Sequence, residues 1–331
     1  MPFQVPLNHK FGCVCLTNAA VDRGLREPLD LGGGFWAVFG TPLDLAPHWQ
    51  TWLGSLKTEN FGRAGITLLS HRPSNRPGIT DDENELLIKD AFSMFLALLV
   101  CEIFHFEGGL ILSGANNGGD TDIRNVSDLE PHIRPNGVHP TRISEGTIRR
   151  AYAVAAGIRS IHSNRFGRLR RGFRAWHRGM REFHGHDRLH QFVRAVEALI
   201  KPEAGRSERL FTHRCQIFAG TSDRARALFS ELYQLRSQTE HMNELESVLE
   251  AYPPEARGAT ALRRVYQAQI LASHVFEQIL TRPDLLAIFD SDERIDEFWT
   301  RRRTDEQRVR WGPAIDLEAL AEARFSDRLV A

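Results

Sequence analysis

The feature that most constrains this chain is a change of texture near residue 140. Before it, glycine and proline cut the sequence into short apolar runs; after it, apolar residues recur every three or four positions with little interruption. Short punctuated runs suit strands, and three-four spacing suits helices with one buried stripe. Residues 12–16, 34–39, 65–70 and 109–112 are therefore expected strands, set around a buried helix near Ala91. Leu86, Leu87, Ala91, Met94, Leu98, Cys101 and Phe104 keep a helical rhythm there, behind acidic Asp81, Asp82 and Glu83 at the helix start. Downstream, helices are expected at about 142–163, 166–183, 187–200, 207–219, 222–249 and 259–280. The fold class is then α+β: a mixed domain over residues 1–140 with short strands and a helix, followed by an all-α bundle over 141–331. Residues 116–137, rich in turn formers, form the expected irregular segment.

Composition sets limits on partners. With 331 residues, 42% apolar and 25% charged, the chain can bury one large core or two. Lys and Arg total 42 and so do Asp and Glu, so no global field draws the protein to nucleic acid or membrane, and any RNA contact must come from a local patch. The N-terminus lacks a basic start followed by an apolar run, and the longest apolar stretch, residues 91–106, is too short to span a bilayer. Cys13, Cys15, Cys101 and Cys215 show no metal or disulfide framework, and Cys13 and Cys15 would share one face of a strand. Reduced, packed thiols in a cytoplasmic protein with no membrane contact are expected.

Other motifs have plain readings. The run Asn116-Asn-Gly-Gly-Asp-Thr-Asp122 lacks the order and the closing glutamate of an EF-hand loop, and reads as a surface loop. Gly32-Gly-Gly34 lacks the lysine of a phosphate loop and reads as a turn. His184, His186 and His190 lack the partners of a zinc shell, so no metal and no cofactor is expected. The tail group Arg301, Arg302, Arg303, Arg308 and Arg310, near Trp299 and Trp311, is expected to be peripheral.

The segment 165–181 is more informative. Phe166, Leu169, Phe173, Trp176 and Met180 form one seam, while Arg168, Arg170, Arg171, Arg174, Arg178 and Arg181 occupy much of the remaining surface. Two readings stay open: Arg168, Arg171, Arg174 and Arg178 hold an RNA backbone, or acidic neighbours neutralise them.

The sharpest candidate for chemistry is Arg236-Ser-Gln-Thr-Glu-His241, mounted on a stripe of Leu228, Leu232 and Leu235. Histidine exchanges protons near neutral pH, and the planar arginine fork fits phosphate. The competing reading is an ion pair between Arg236 and Glu240 at i,i+4, with His241 as a helix-end residue. In one unbroken helix, five residues turn through about 140° and rise about 7.5 Å, so Arg236 and His241 would not converge on one atom.

This motif resembles the R-x(4-6)-H signature of HEPN domains, all-α modules that often act as metal-independent ribonucleases. The order of segments 187–200, 206–215 and Leu232-Tyr-Gln-Leu-Arg-Ser237 is similar to the Apea-like branch of that superfamily, over roughly residues 183–280. The resemblance implies a HEPN-like bundle and a composite site at a homodimer interface. There His241 would act as acid or base on RNA and Arg236 would stabilise phosphate charge, with Glu240, Ser237, Glu197 and Arg214 in support. It also implies a toxin or antiviral defence effector, with an unidentified trigger sensed by the N-terminal domain. Ser237 and Met242 depart from the commoner pattern, in which a polar Asn, Asp or His follows the arginine and a small residue follows the histidine. A non-catalytic HEPN scaffold or RNA-binding dimerisation protein is therefore the alternative.

Overall fold

A computed structural model describes residues 3–326 except Thr41, Gly119, Asp120, Ser163, Ala204 and Met242, with the side chains of Asn164 and Ser247 also outside it. The chain forms two compact units, residues 1–131 with 140–159, and residues 132–139 with 160–331. The fold is mixed α and β, as the sequence texture implies.

In the first unit, strands β1 (His9–Thr17), β2 (Leu29–Gly32), β3 (Phe35–Phe39), β4 (Ala64–Pro73), β5 (Gly108–Asn116) and β6 (Thr121–Asp128) make one antiparallel sheet in the order β2-β3-β4-β1-β5-β6. Helices α1 (Pro47–Leu53) and α2 (Ser55–Gly62) lie between β3 and β4, and α3 (Asp82–Cys101) between β4 and β5. Central β1 is buried on both faces because each face has its own cover. Phe11, Cys13 and Cys15 join the core containing Leu53, Phe61, Leu69 and Leu112. On the other side α3 comes so close that a Cβ on Gly12 would lie 2.4 Å from the Ile88 nitrogen. Cys13 and Cys15 do share a face, with sulfurs 3.9 Å apart, and neither forms a disulfide. The start of α3 is fixed by Asp81, whose side chain accepts from the Glu83 N–H at 3.0 Å, and by buried Lys10, 2.6 Å from Asp81 and 2.9 Å from Glu83. Gly32, Gly33 and Gly34 form the β2–β3 turn, all with positive φ (87°, 62° and 82°).

Two expectations change here. The segment 116–137 is not all irregular, because β6 pairs with β5 as an edge strand; only Ile123 and Val126 supply it with apolar side chains, too few to stand out in sequence. Gly119 and Asp120, in the middle of the Asn116–Asp122 run, lie outside the described residues. The boundary also moves. Helix α4 (Glu145–Ser160) is amphipathic like those after it, yet as far as Arg159 it packs with the sheet: the Tyr152 hydroxyl donates to the Gly32 carbonyl at 3.2 Å, and the Arg159 guanidinium sits 4.6 Å from the Phe35 ring centroid.

The second unit contains α5 (Gly167–Gly179), α6 (Gly185–Ile200), α7 (Ser207–Ala219), α8 (Asp223–Glu240), α9 (Leu245–Val248), α10 (Pro254–Thr281), α11 (Pro283–Leu286), α12 (Asp292–Asp296), α13 (Thr304–Trp311) and α14 (Leu317–Arg324). Helices α5 and α6 run antiparallel in close contact, since Gly172 faces Ala195 and Ala198 while Gly179 faces Gln191 and Phe192. The seam of α5 continues into α10, where the Trp176 indole donates to Ser273 at 2.9 Å and Phe173 meets Phe276 edge-on. The expected helix over 222–249 breaks after Glu240, and α9 follows as a separate turn. In the C-terminal basic segment Arg301, Arg303 and Arg308 are exposed, while the two neighbouring tryptophans are packed into the unit. Trp311 is 1% exposed and packs 4.4 Å from the Phe218 ring centroid, and the Trp299 indole donates to the Leu199 carbonyl at 2.9 Å. Among the described residues, no helix is long and apolar enough to cross a membrane.

Candidate functional site

Helix α8 is fixed at its start by Ser222, whose hydroxyl accepts from the Ala225 N–H at 3.1 Å. Its stripe is buried as the spacing demands, with Leu228 at 3% and Leu232 and Leu235 at 0% exposure. Arg236 follows that stripe and turns toward α6, leaving 16% of its side chain exposed. Nη2 lies 3.1 Å from Glu197 and Nη1 2.7 Å from Glu240. Burial pushes the Glu197 carboxyl above the ordinary carboxylate range, opposed by the Arg236 charge. His190, on α6, is held below the ordinary imidazole range by burial first and then by Arg236.

His241 caps the C-terminal end of α8, its backbone N–H reaching the Gln238 and Thr239 carbonyls, and its ring is exposed. Among the described residues Arg236 and His241 make no hydrogen bond to each other, consistent with the divergence of positions five apart on a helix. Both parts of the competing sequence reading are thus present, the Arg236–Glu240 pair and the helix-end histidine. The other supporting residues separate. Glu197 touches Arg236 directly, and Ser237 is half-buried beside it in sequence. Arg214 is engaged elsewhere, donating to the Lys201 carbonyl at 3.0 Å and to the Ile200 carbonyl, with its guanidinium 5.3 Å from the Trp299 ring centroid. It closes the end of α6, and no direct contact joins it to Arg236. Met242 lies outside the described residues.

Arg236 does not stand alone. It lines a groove of about 550 Å³ together with Arg168, Arg171, Arg174, Arg178 and Arg194, and Glu197 is the only carboxylate among the described residues lining it. Arg168 is held 3.4 Å from Asp292. Arg171, Arg174, Arg178 and Arg194 are exposed, and their side chains have no ion-pair or hydrogen-bond partner among the described residues. On α5, then, Asp292 neutralises Arg168, while Arg171, Arg174 and Arg178 meet no acidic neighbour among the described residues. These arginines sit at i, i+3 and i+4 positions, so one face of α5 presents them in a row. Tyr233, one turn before Arg236, adds an aromatic ring to the same groove. Arg194 does not stand out in sequence, being a single polar position on an otherwise ordinary helix, and Tyr233 enters the sequence reading only as part of the segment Leu232–Ser237. Their role comes from α6 and α8 packing beside α5.

No family model, curated protein or solved structure matches this chain. The chemistry of the site rests on its own geometry. Six arginines against one carboxylate make a cationic groove suited to several phosphates, with an aromatic surface for a base.

Proposed function

We propose that the helical unit binds single-stranded RNA in the arginine groove and acts on it as a HEPN-type, metal-independent endoribonuclease. The observation that carries this reading is the placement of Arg236 inside a groove with four arginines whose side chains have no ion-pair or hydrogen-bond partner among the described residues. The groove supplies phosphate contacts without base selection, as sequence-tolerant RNA binding requires. Because Arg236 and His241 diverge on one helix, the catalytic site is composite, formed when two copies bring their α8 helices together about a twofold axis. One His241 takes the proton from a ribose 2′-hydroxyl as its oxygen attacks phosphorus. The bond to the 5′-oxygen breaks, and the second His241 protonates that leaving oxygen. The products are a 2′,3′-cyclic phosphate and a 5′-hydroxyl. Arg236 stabilises the charge gathering on the phosphate. The sheet unit then serves as a trigger-sensing partner in a toxin or defence effector.

A second reading has its own support. Arg236 is shared between Glu197 and Glu240, and a guanidinium so engaged suits a structural brace, as in a non-catalytic HEPN scaffold that binds RNA and dimerises. Incubation of the full chain with RNA in EDTA decides between them. Cleavage with cyclic-phosphate ends, lost by roughly 10²- to 10⁴-fold in His241→Ala, supports the nuclease. RNA binding without cleavage, or cleavage unaltered in His241→Ala, leaves the scaffold.

A further inference from the structure

A second cleft opens between α7 and α8, with a volume of about 1290 Å³. It is too large and open for a typical small-molecule pocket, which holds about 300–1,000 Å³. Four arginines line it, Arg206, Arg209, Arg226 and Arg308, with the two carboxylates Glu208 and Asp223. Arg206, Arg209 and Arg308 are exposed, and their side chains have no partner among the described residues. Arg226 is 3.3 Å from Asp223, whose side chain is 97% exposed, so that pairing is weak. The Glu208 carboxylate accepts from Ser230 at 2.7 Å and from Gln234 at 3.2 Å and keeps its charge, so three unpaired arginines outnumber it. His213 lines the cleft and is held below the ordinary imidazole range by burial first, then by the charges of Arg214, Arg308, Arg209 and Arg226.

Two relations decide what this cleft accepts. Ser207, the first residue of α7, lines both the cleft and the groove that holds Arg236, so the two adjoin at one helix end. The cleft offers no Phe, Tyr or Trp among its described lining residues, whereas the groove offers Tyr233. A surface rich in arginine and without such rings holds phosphates and leaves bases free.

We infer that the RNA strand lying in the α5–α6 groove continues past Ser207 into the α7–α8 cleft, where Arg206, Arg209 and Arg308 hold its backbone. The inference rests on the reading of the groove as an RNA surface. It makes the α7 side a length-dependent extension, engaged only by a strand long enough to pass the helix end.

The experiment uses the full chain and fluorescein-labelled single-stranded RNAs of roughly 4 and roughly 16 nucleotides, the ends of the range single-strand binders cover. Anisotropy is followed against salt for the native protein, for Arg206→Ala/Arg209→Ala/Arg308→Ala, and for Arg171→Ala/Arg174→Ala/Arg178→Ala. All six positions are exposed, and circular dichroism checks that each variant folds. On the long RNA each triple variant weakens binding, and the slope of log affinity against log salt falls by about 2, as losing three phosphate contacts requires. On the short RNA only the α5 variant weakens binding. An unchanged long-RNA slope in the α7-side variant, with loss in the α5 variant, overturns the extension and leaves the groove intact. Equal loss on both lengths in the α7-side variant also overturns it, because the cleft would then hold the same nucleotides as the groove. If neither variant changes binding, the extension and the RNA reading of the groove fail together.

Discussion

Glu197 on α6 and Arg236 on α8 are joined by an ion pair 3.1 Å long, with 11% and 16% of their side chains exposed. The pair ties the motif-bearing helix to the helix that carries Arg194. A charge removed here leaves its partner where water reaches it poorly. Arg236 therefore has a structural task in addition to any contact with phosphate.

Arg236→Ala should lower stability by about 3 kcal/mol, the lower end of what breaking a buried pair costs. Arg236→Lys keeps the charge and should lose much less, while lacking the planar fork needed at phosphate. Urea denaturation of both variants checks this. An alanine variant within about 0.5 kcal/mol of the native chain would show that Glu197 is adequately solvated. The lysine variant is accordingly the cleaner probe of RNA chemistry.

Gly172 sets how closely α5 approaches α6, since a Cβ there would lie 2.9 Å from the Ala198 Cβ. Gly172→Leu should cost about 1–3 kcal/mol through overpacking. It should also weaken RNA binding with no change in net charge, by displacing the arginine face. Native stability and native affinity in this variant would mean that the contact does not seat the groove.

Gly12→Ala tests the sheet unit in the same way. Its Cβ would meet the backbone of Leu87 and Ile88, at 2.4 Å from the Ile88 nitrogen, so α3 must move. A loss of about 1–3 kcal/mol is expected, with earlier proteolysis of the N-terminal unit on heating. An unchanged digestion profile would contradict the close seating of α3 on β1.

Acid should destabilise the helical unit. Burial holds His177 down at about 3, with His132 and Arg181 adding to the effect, and burial holds His274 at about 4, both from an ordinary 6.5. These rings are neutral in the fold and gain protons more readily when unfolded. Their contribution is full above about 6.5 and is lost as pH falls through the window toward 4 and 3. Glu197 acts with the opposite sign, because its carboxyl is raised, so its contribution is lost as pH rises above the ordinary carboxylate range. Denaturation midpoints should fall between about pH 7 and about pH 5, and the fall should shrink in His177→Gln/His274→Gln. A flat profile in the native chain would contradict this.

Much of the architecture was legible because it is written in local periodicity. The expected helix at 207–219 matches Ser207–Ala219, and the stripe Leu228, Leu232 and Leu235 is buried as its spacing requires. Strand β6 was hidden because an edge strand needs few apolar residues, and α4 was misassigned because a helix does not declare in its own sequence which core it covers. The site was legible in part. The α5 arginines and Arg236 each stood out, but their meeting in one groove depends on three helices brought together by Gly172, Gly179 and the α8 stripe. Ion pairing of Arg236 with Glu197 was equally out of reach, since residues 39 positions apart meet only through the packing of α6 and α8.

The path of the chain between its two units limits how the protein can be divided. Residues 132–139 belong with the helices, while residues 140–159 return to the sheet. The short outgoing segment is tied firmly: Arg188, 3% exposed, donates to the Ile133 carbonyl at 2.6 Å, Ile133 donates to the Met180 carbonyl at 2.7 Å, and Val138 bridges to Phe325. A single cut at residue 160 would strip that segment from the helices and leave the Arg188 fork short of an acceptor in the core. A helical fragment made by simple truncation would thus be deprived of a structural part that lies earlier in the chain.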